Sequence, residues 1–206
     1  MMMSGRTPRV LGVFGSPRHA GNSATLLEEV LIGAEEGGAV VGRVLLGEKT
    51  IAPCLACDAC STTGACVQRD DMQELVSDMV ASEVWVLATP VYWWGTSAQM
   101  KAFVDRWYGP WHDPKTRAAF AGKRAVLVVT LGDTDPKTAR HVVGMFDDAL
   151  AYLGATLTAS VVAPGVSGPR DAANRPDLLA AARAAGHNVI ASPRPAQPPT
   201  GAAHQT

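Results

Sequence analysis

Four cysteines, Cys54, Cys57, Cys60 and Cys66, crowd into thirteen residues, and the chain has no others. Their spacing is C-x2-C-x2-C-x5-C. Turns at this spacing let several thiolates converge, and four thiolates are what a [4Fe–4S] centre requires. A tetrahedral zinc site also takes four thiolates, although compact three-residue spacing is less usual for it. Reversible disulfides, or a cysteine loop that holds no metal, are the other readings of the same residues. Asp58 lies between two of the cysteines as a solvated residue. Asp70 and Asp71, just beyond them, read as a helix cap that complements the helix dipole.

A second group of reactive types is Gly15-Ser16-Pro17-Arg18-His19-Ala20-Gly21-Asn22-Ser23. It has no G-x-G-x-x-G fingerprint and no P-loop lysine. It offers the hydroxyls of Ser16 and Ser23, the amide of Asn22, the guanidinium of Arg18 and the backbone N–H groups of a helix start. That set suits a terminal phosphate, because a helix N-terminus favours an anion and Arg18 can pair with two of its oxygens. The plain alternative is that Asn22 or Ser23 only caps the helix. A third group is Thr89-Pro90-Val91-Tyr92-Trp93-Trp94-Gly95-Thr96-Ser97, and all five tryptophans fall between positions 85 and 111. Adjacent aromatics at the end of a buried strand point opposite ways, so they suit a flat apolar slot for a planar ring, or a subunit interface. Tyr92, Tyr108 and His112 are the candidate proton donors near this loop. Lys101 and Arg106, on the helix that follows, read as solvated.

The elements that position these groups follow from the apolar pattern. Val10 to Phe14, Val40 to Leu46, Val84 to Ala88, Ala125 to Leu131 and Leu157 to Ala163 are short apolar or β-branched runs, as buried parallel strands are. Between them apolar residues recur at helical spacing, as at Leu26, Leu27, Val30 and Leu31 and at Met100, Phe103, Val104 and Trp107. Met100, Phe103 and Trp107 are expected in the core. Five strands alternating with five helices predict a parallel sheet covered on both faces, with the ligand site beyond the carboxyl ends of the strands. Residues 1–191 are expected to form a single domain. The proline-rich stretch 192–206 shows no apolar periodicity, so a disordered tail is expected there.

Apolar residues make up 47% of the 206 and charged residues 18%, enough to bury a core. Eighteen basic residues against nineteen acidic ones leave a formal charge of -1, with no basic excess to hold nucleic acid or an anionic membrane. No run approaches the roughly 18 apolar residues of a membrane helix, and the opening residues lack the apolar stretch of a secretory signal, so a cytoplasmic protein is expected.

Three segments together resemble the NADPH-dependent FMN reductase family, over roughly residues 8 to 165. They are the Gly-Ser-Pro-Arg…Gly-Asn-Ser loop, the cysteine segment ending Cys-Val-Gln-Arg-Asp-Asp-Met, and Thr-Pro-Val-Tyr-Trp-Trp-Gly…Gln-Met-Lys-Ala-Phe-Val-Asp-Arg. The resemblance implies a flavodoxin-like α/β three-layer sandwich, with a five-stranded parallel sheet in the order 2-1-3-4-5. It implies FMN as cofactor, NADH or NADPH as co-substrate, and a free flavin, quinone or similar small molecule as acceptor. By the same resemblance Ser16, Arg18, Asn22 and Ser23 would hold the FMN phosphate, and Pro90, Val91, Tyr92 and Trp93 would contact the isoalloxazine. Where the family usually carries a glycine pair after strand four, Leu131-Gly132-Asp133-Thr134 has only Gly132. The cysteine spacing is similar to that of the iron–sulfur flavoproteins, a branch of this family. That implies an alternative: an electron carrier with FMN and a [4Fe–4S] cluster on Cys54, Cys57, Cys60 and Cys66, served by a ferredoxin-like donor. The density of aromatics leads us to expect a homodimer or homotetramer.

Overall fold

The computed structural model describes residues 7–192. Apart from Ser192, the tail expected from 192 onward lies outside the described residues. Five strands, β1 (Arg9–Phe14), β2 (Val40–Leu45), β3 (Val84–Pro90), β4 (Arg124–Thr130) and β5 (Thr156–Ala163), pair in parallel in the order β2-β1-β3-β4-β5. This is the order that the resemblance implied. Interior strand β4 is buried along its whole length, whereas edge strand β5 alternates exposed and half-buried residues over most of its length and is buried only at Val161 and Ala163. The central strands therefore read as unbroken apolar runs, because helices cover both of their faces.

Eight α-helices lie among the described residues: α1 (Asn22–Glu36), α2 (Ala59–Thr63), α3 (Met72–Ala81), α4 (Ala98–Asp105), α5 (Tyr108–His112), α6 (Pro114–Phe120), α7 (Arg140–Tyr152) and α8 (Pro176–Ala191). Five were expected. The additional ones, α2, α5 and α6, are five to seven residues long, too short for an apolar period to emerge. Local chemistry sets them instead: α6 starts at Pro114 because the Asp113 carboxylate accepts the N–H groups of Lys115 and Thr116.

Each face of the sheet has its own core. On one face Leu26, Leu27, Val30 and Leu31 of α1 and Leu178, Ala182 and Val189 of α8 pack on Val10, Val86 and Val128. The other face joins Leu75 and Met79 of α3, Met100 and Phe103 of α4, Phe120 of α6, and Phe146 and Leu150 of α7. The tryptophans do not gather into one slot. Trp85 and Trp107 lie in this second core, with Phe120 edge-on to Trp85 at 5.0 Å between centroids, and Trp111 stacks on Tyr152 at 4.4 Å. Only Trp93 and Trp94 remain in the loop after β3. Met100, Phe103 and Trp107 are core residues as expected. Among the described residues no helix is long and apolar enough to cross a membrane.

Candidate functional site

The parallel register brings the carboxyl ends of β1, β3, β4 and β5 to one edge, pairing Phe14 with Ala88, Pro90 with Thr130 and Thr130 with Ala163. The loop after β1 turns immediately. The Gly15 N–H donates to the Ala88 carbonyl at 2.8 Å, and a Cβ at Gly15 would stand 2.7 Å from that oxygen. Only glycine fits there. The Arg18 N–H donates to Ser16 Oγ at 3.1 Å and the Gly21 N–H to the Arg18 carbonyl at 3.2 Å, which closes the turn.

Gly21 is the N-cap of α1, and no side chain caps the helix. Neither Asn22 nor Ser23 acts as the cap that the plain reading allowed. The first-turn N–H groups of α1 therefore have no protein acceptor among the described residues, beside the hydroxyls of Ser16 and buried Ser23 and the exposed guanidinium of Arg18. This donor set fits a terminal phosphate.

Asn22 uses its side chain elsewhere. Its Nδ2 donates to the carbonyls of Val166 at 3.2 Å and Gly168 at 2.8 Å, and its Oδ1 accepts the Ala172 N–H at 3.0 Å. Both amide N–H groups are engaged, so at this position only the backbone N–H remains for an anion. The loop after β5, which sequence reasoning passed over, is thereby joined to the loop after β1. The partners are about 145 residues apart in the chain, and no local signal connects them. The loop after β4 belongs to the same arrangement. The Gly165 N–H donates to the Asp133 carbonyl at 2.8 Å, and Gly132 is exposed against Ser167. Asp133 is held below the usual carboxylate range by the Asp135 N–H, followed by the Thr138 hydroxyl.

The aromatic loop is a tight turn. Tyr92 and Gly95 exchange two backbone hydrogen bonds of 2.9 Å, and between them Trp93 and Trp94 take φ of 49° and 60°. Two left-handed residues in succession are usual for Asn-Gly; for other L-residues each costs on the order of 1–2 kcal/mol. Trp93 is 92% exposed, so burial of its ring does not offset that cost. The turn is anchored below. Thr89 Oγ1 shares a 2.6 Å hydrogen bond with Thr96 and accepts the Ser97 N–H at 3.0 Å, while Val91 donates its N–H to Thr130 at 2.8 Å. Ser97 Oγ caps α4 by accepting the Met100 N–H and itself donates to the Gly15 carbonyl, tying this loop to the first.

Of the three candidate proton donors only Tyr92 lies here. Tyr108 and His112 sit beside the cysteine segment, a correction to their expected place. The Tyr108 hydroxyl donates to Asp58 Oδ1 at 2.9 Å, and its ring meets His112 edge-on at 4.5 Å. That hydrogen bond lowers the pKa of Asp58 and raises that of Tyr108, which makes Tyr108 a poorer acid.

All four cysteines line one small cavity of about 20 Å³. Ala56 and Asp58, at φ of 50° and 55°, turn the backbone between them. Cys54 and Cys57 are exposed, Cys66 is half-buried and Cys60 is buried, and burial pushes the Cys60 thiol up. Four thiols around one cavity are the donor set of a thiolate-ligated centre. As the side chains stand, no three His, Cys, Asp or Glu residues among the described ones form a metal-ligand group.

The segment is held from beneath by Arg106. Expected as solvated, its side chain is 1% exposed and forks onto Asp70 with bonds of 2.6 and 3.1 Å, while Nη1 also reaches the Ala52 carbonyl at 2.9 Å. Asp70 thus does more than cap α3, although its Oδ1 does accept the Met72 N–H. The Asp71 carboxylate accepts the Thr50 N–H instead of a helix N–H. Lys101 is exposed as expected, paired with Asp105.

The model of the NADPH-dependent FMN reductase family matches residues 8–167. An iron–sulfur flavoprotein of Archaeoglobus fulgidus is 34% identical over 156 residues, 76% of this chain and 65% of that protein. An iron–sulfur flavoprotein of Methanocaldococcus jannaschii is 37% identical over 98 residues, 48% of this chain and 51% of that protein. The chain thus spans between about half and two thirds of the length of these relatives. Among solved structures, the NAD(P)H:quinone oxidoreductase from Methanothermobacter marburgensis superposes with a TM-score of 0.70 at 21% identity, covering 89% of this chain and 96% of that one. At that identity the superposition shows the shared fold.

Proposed function

The chain belongs to the NADPH-dependent FMN reductase family, and on that premise we propose that it is an FMN-dependent oxidoreductase that takes electrons from NADH or NADPH and delivers them to a small planar acceptor such as a free flavin or quinone. The observation that carries this reading is the uncapped start of α1, with its hydroxyls and Arg18, tied through Ser97 to the exposed aromatic turn after β3. A phosphate and a planar ring are thereby offered sites on one edge of the sheet. When bound, FMN would supply the hydride chemistry. The chain would position it: Ser16, Arg18, Ser23 and the Asn22 backbone at the phosphate, and Pro90, Val91, Tyr92 and Trp93 along the ring. Gly132 would approach from the loop after β4. Tyr92, on the same turn, would be the donor that protonates a reduced quinone oxygen. The exposed Trp93 and Trp94 support a homo-oligomer in which a second subunit covers the turn.

The test is anaerobic addition of NADPH or NADH to the FMN-loaded protein. Bleaching of the flavin band, then its return on adding a quinone or free flavin, is the expected result. A flavin that stays oxidised under either nicotinamide would reject the reading.

A second reading is supported by the four cysteines around one cavity and by the iron–sulfur flavoproteins among the relatives. In it the chain is an electron carrier, with Cys54, Cys57, Cys60 and Cys66 holding a [4Fe–4S] cluster and a ferredoxin-like protein as donor. Iron and acid-labile sulfide near four per chain in anaerobically purified protein would favour it, and iron-free yellow protein would remove it.

A further inference from the structure

Asn22 is the first residue of α1, yet it neither caps the helix nor points its amide at the loop where an anion would sit. Its side chain makes three hydrogen bonds, all to the backbone of the loop after β5. We propose that the Asn22 side chain positions the phosphate site, acting through that loop and not by contact with the phosphate, which is left to the backbone N–H; this rests on the FMN reading above.

The bonds reach Val166, Gly168 and Ala172, on both sides of the turn in which the Gly168 N–H donates to Asp171 Oδ2 at 2.6 Å. The loop is thus closed on itself by Asp171 and pinned to α1 by Asn22. It is also joined to the loop after β4 through Gly165 and Asp133. An anion at the start of α1 depends on several first-turn N–H groups converging, and an uncapped helix end frays. By fixing the side chain of the first helical residue to a distant, closed loop, Asn22 holds that turn in place before ligand arrives. Preorganisation of this kind appears as affinity for the group that uses it, here the phosphate, and not for the ring.

The distinction can be read with two ligands that share a ring and differ in the phosphate. FMN and riboflavin are titrated into flavin-free protein by fluorescence quenching, for the unaltered chain and for Asn22→Ala. FMN affinity is expected to fall roughly tenfold, with riboflavin affinity held within about twofold. Equal losses for both ligands, or none, would overturn the proposal, since a residue of general structural importance does not discriminate between them. Asp171→Ala, which removes the acceptor of the Gly168 N–H and so loosens the same loop while leaving the bonds of Asn22 in place, is expected to act in the same direction and serves if Asn22→Ala does not fold. Hydrogen exchange on the unaltered protein is independent of any variant. FMN but not riboflavin is expected to slow exchange across residues 165–172, and an FMN complex in which that segment exchanges unchanged would also overturn the proposal. If the unaltered protein binds neither ligand, the FMN reading itself falls.

Discussion

Replacing Asp70 with Asn tests how the cysteine segment is held. Arg106 and Asp70 have side chains 1% and 8% exposed, and the carboxylate takes two guanidinium bonds together with the N–H groups of Ala52 and Met72. Asn keeps the shape and one acceptor, but it turns an NH2 toward a guanidinium that can only donate. Breaking a buried pair by removing one partner costs about 3–5 kcal/mol. The retained acceptor places Asp70→Asn near the lower end, about 3 kcal/mol, or a urea midpoint lower by about 1.5 M at a slope of about 2 kcal/mol/M. Tryptophan fluorescence reports the transition, because Trp85 and Trp107 lie in the adjoining core.

The effect has a pH signature. Burial pushes the Asp70 carboxyl up, but the hydrogen bond from Arg106, with the two backbone N–H groups, outweighs it and leaves the pKa below its ordinary value. A carboxylate with a depressed folded pKa stabilises fully above its unfolded value of about 3.9 and loses that contribution as pH falls through the folded one. The gap between the two proteins is therefore expected to be full at pH 7 and to close below about pH 4. A loss under about 1 kcal/mol at pH 7, as for an exposed pair, would refute the reasoning, as would a gap that persists in acid.

Gly186→Ala is expected to destabilise by about 2 kcal/mol or more in the same unfolding assay, because the added Cβ would overlap the Val30 carbonyl oxygen and stand 2.8 Å from its carbon and 2.9 Å from the Ala34 nitrogen across the α1–α8 contact. Trp93→Gly is expected to stabilise by about 0.5–1 kcal/mol, the left-handed strain relieved less the entropy of glycine, while NADPH oxidation by the FMN-loaded protein slows; unfolding and turnover measured together check both signs. Ser97→Ala removes the bond to the Gly15 carbonyl and the cap on α4 and is expected to weaken FMN and riboflavin alike, in titrations run beside those of Asn22→Ala.

The inner strands β1, β3 and β4 were legible because burial on both faces leaves an unbroken apolar run, and β1 and β3 begin and end within a residue or two of their expected positions. The loops after β1 and β3 stood out through residue types that serve no core: two hydroxyls and a guanidinium in one, three adjacent aromatics in the other. What pairs across the fold was not legible. Arg106 follows an apolar helical stripe and reads as its solvated edge, but its partner Asp70 is 36 residues earlier and only folding buries the two together. Asn22 reads as a cap or a phosphate ligand because that is what Asn does locally, while its bonds go to a loop at the other end of the chain. Tyr108 and His112 are near the aromatic turn in sequence, yet α4 carries them away from it to the cysteines.

The reading proposed for this chain stands or falls with an FMN site formed by the loops after β1 and β3. Titration of flavin-free protein with FMN, followed by flavin fluorescence, tests it most directly. Saturation is expected at about one FMN per chain, with a dissociation constant on the order of 1 μM or tighter, and marked weakening when Ser16 and Arg18 are replaced by Ala. Fluorescence that stays linear with added FMN well beyond that concentration, or binding indifferent to both substitutions, would contradict it.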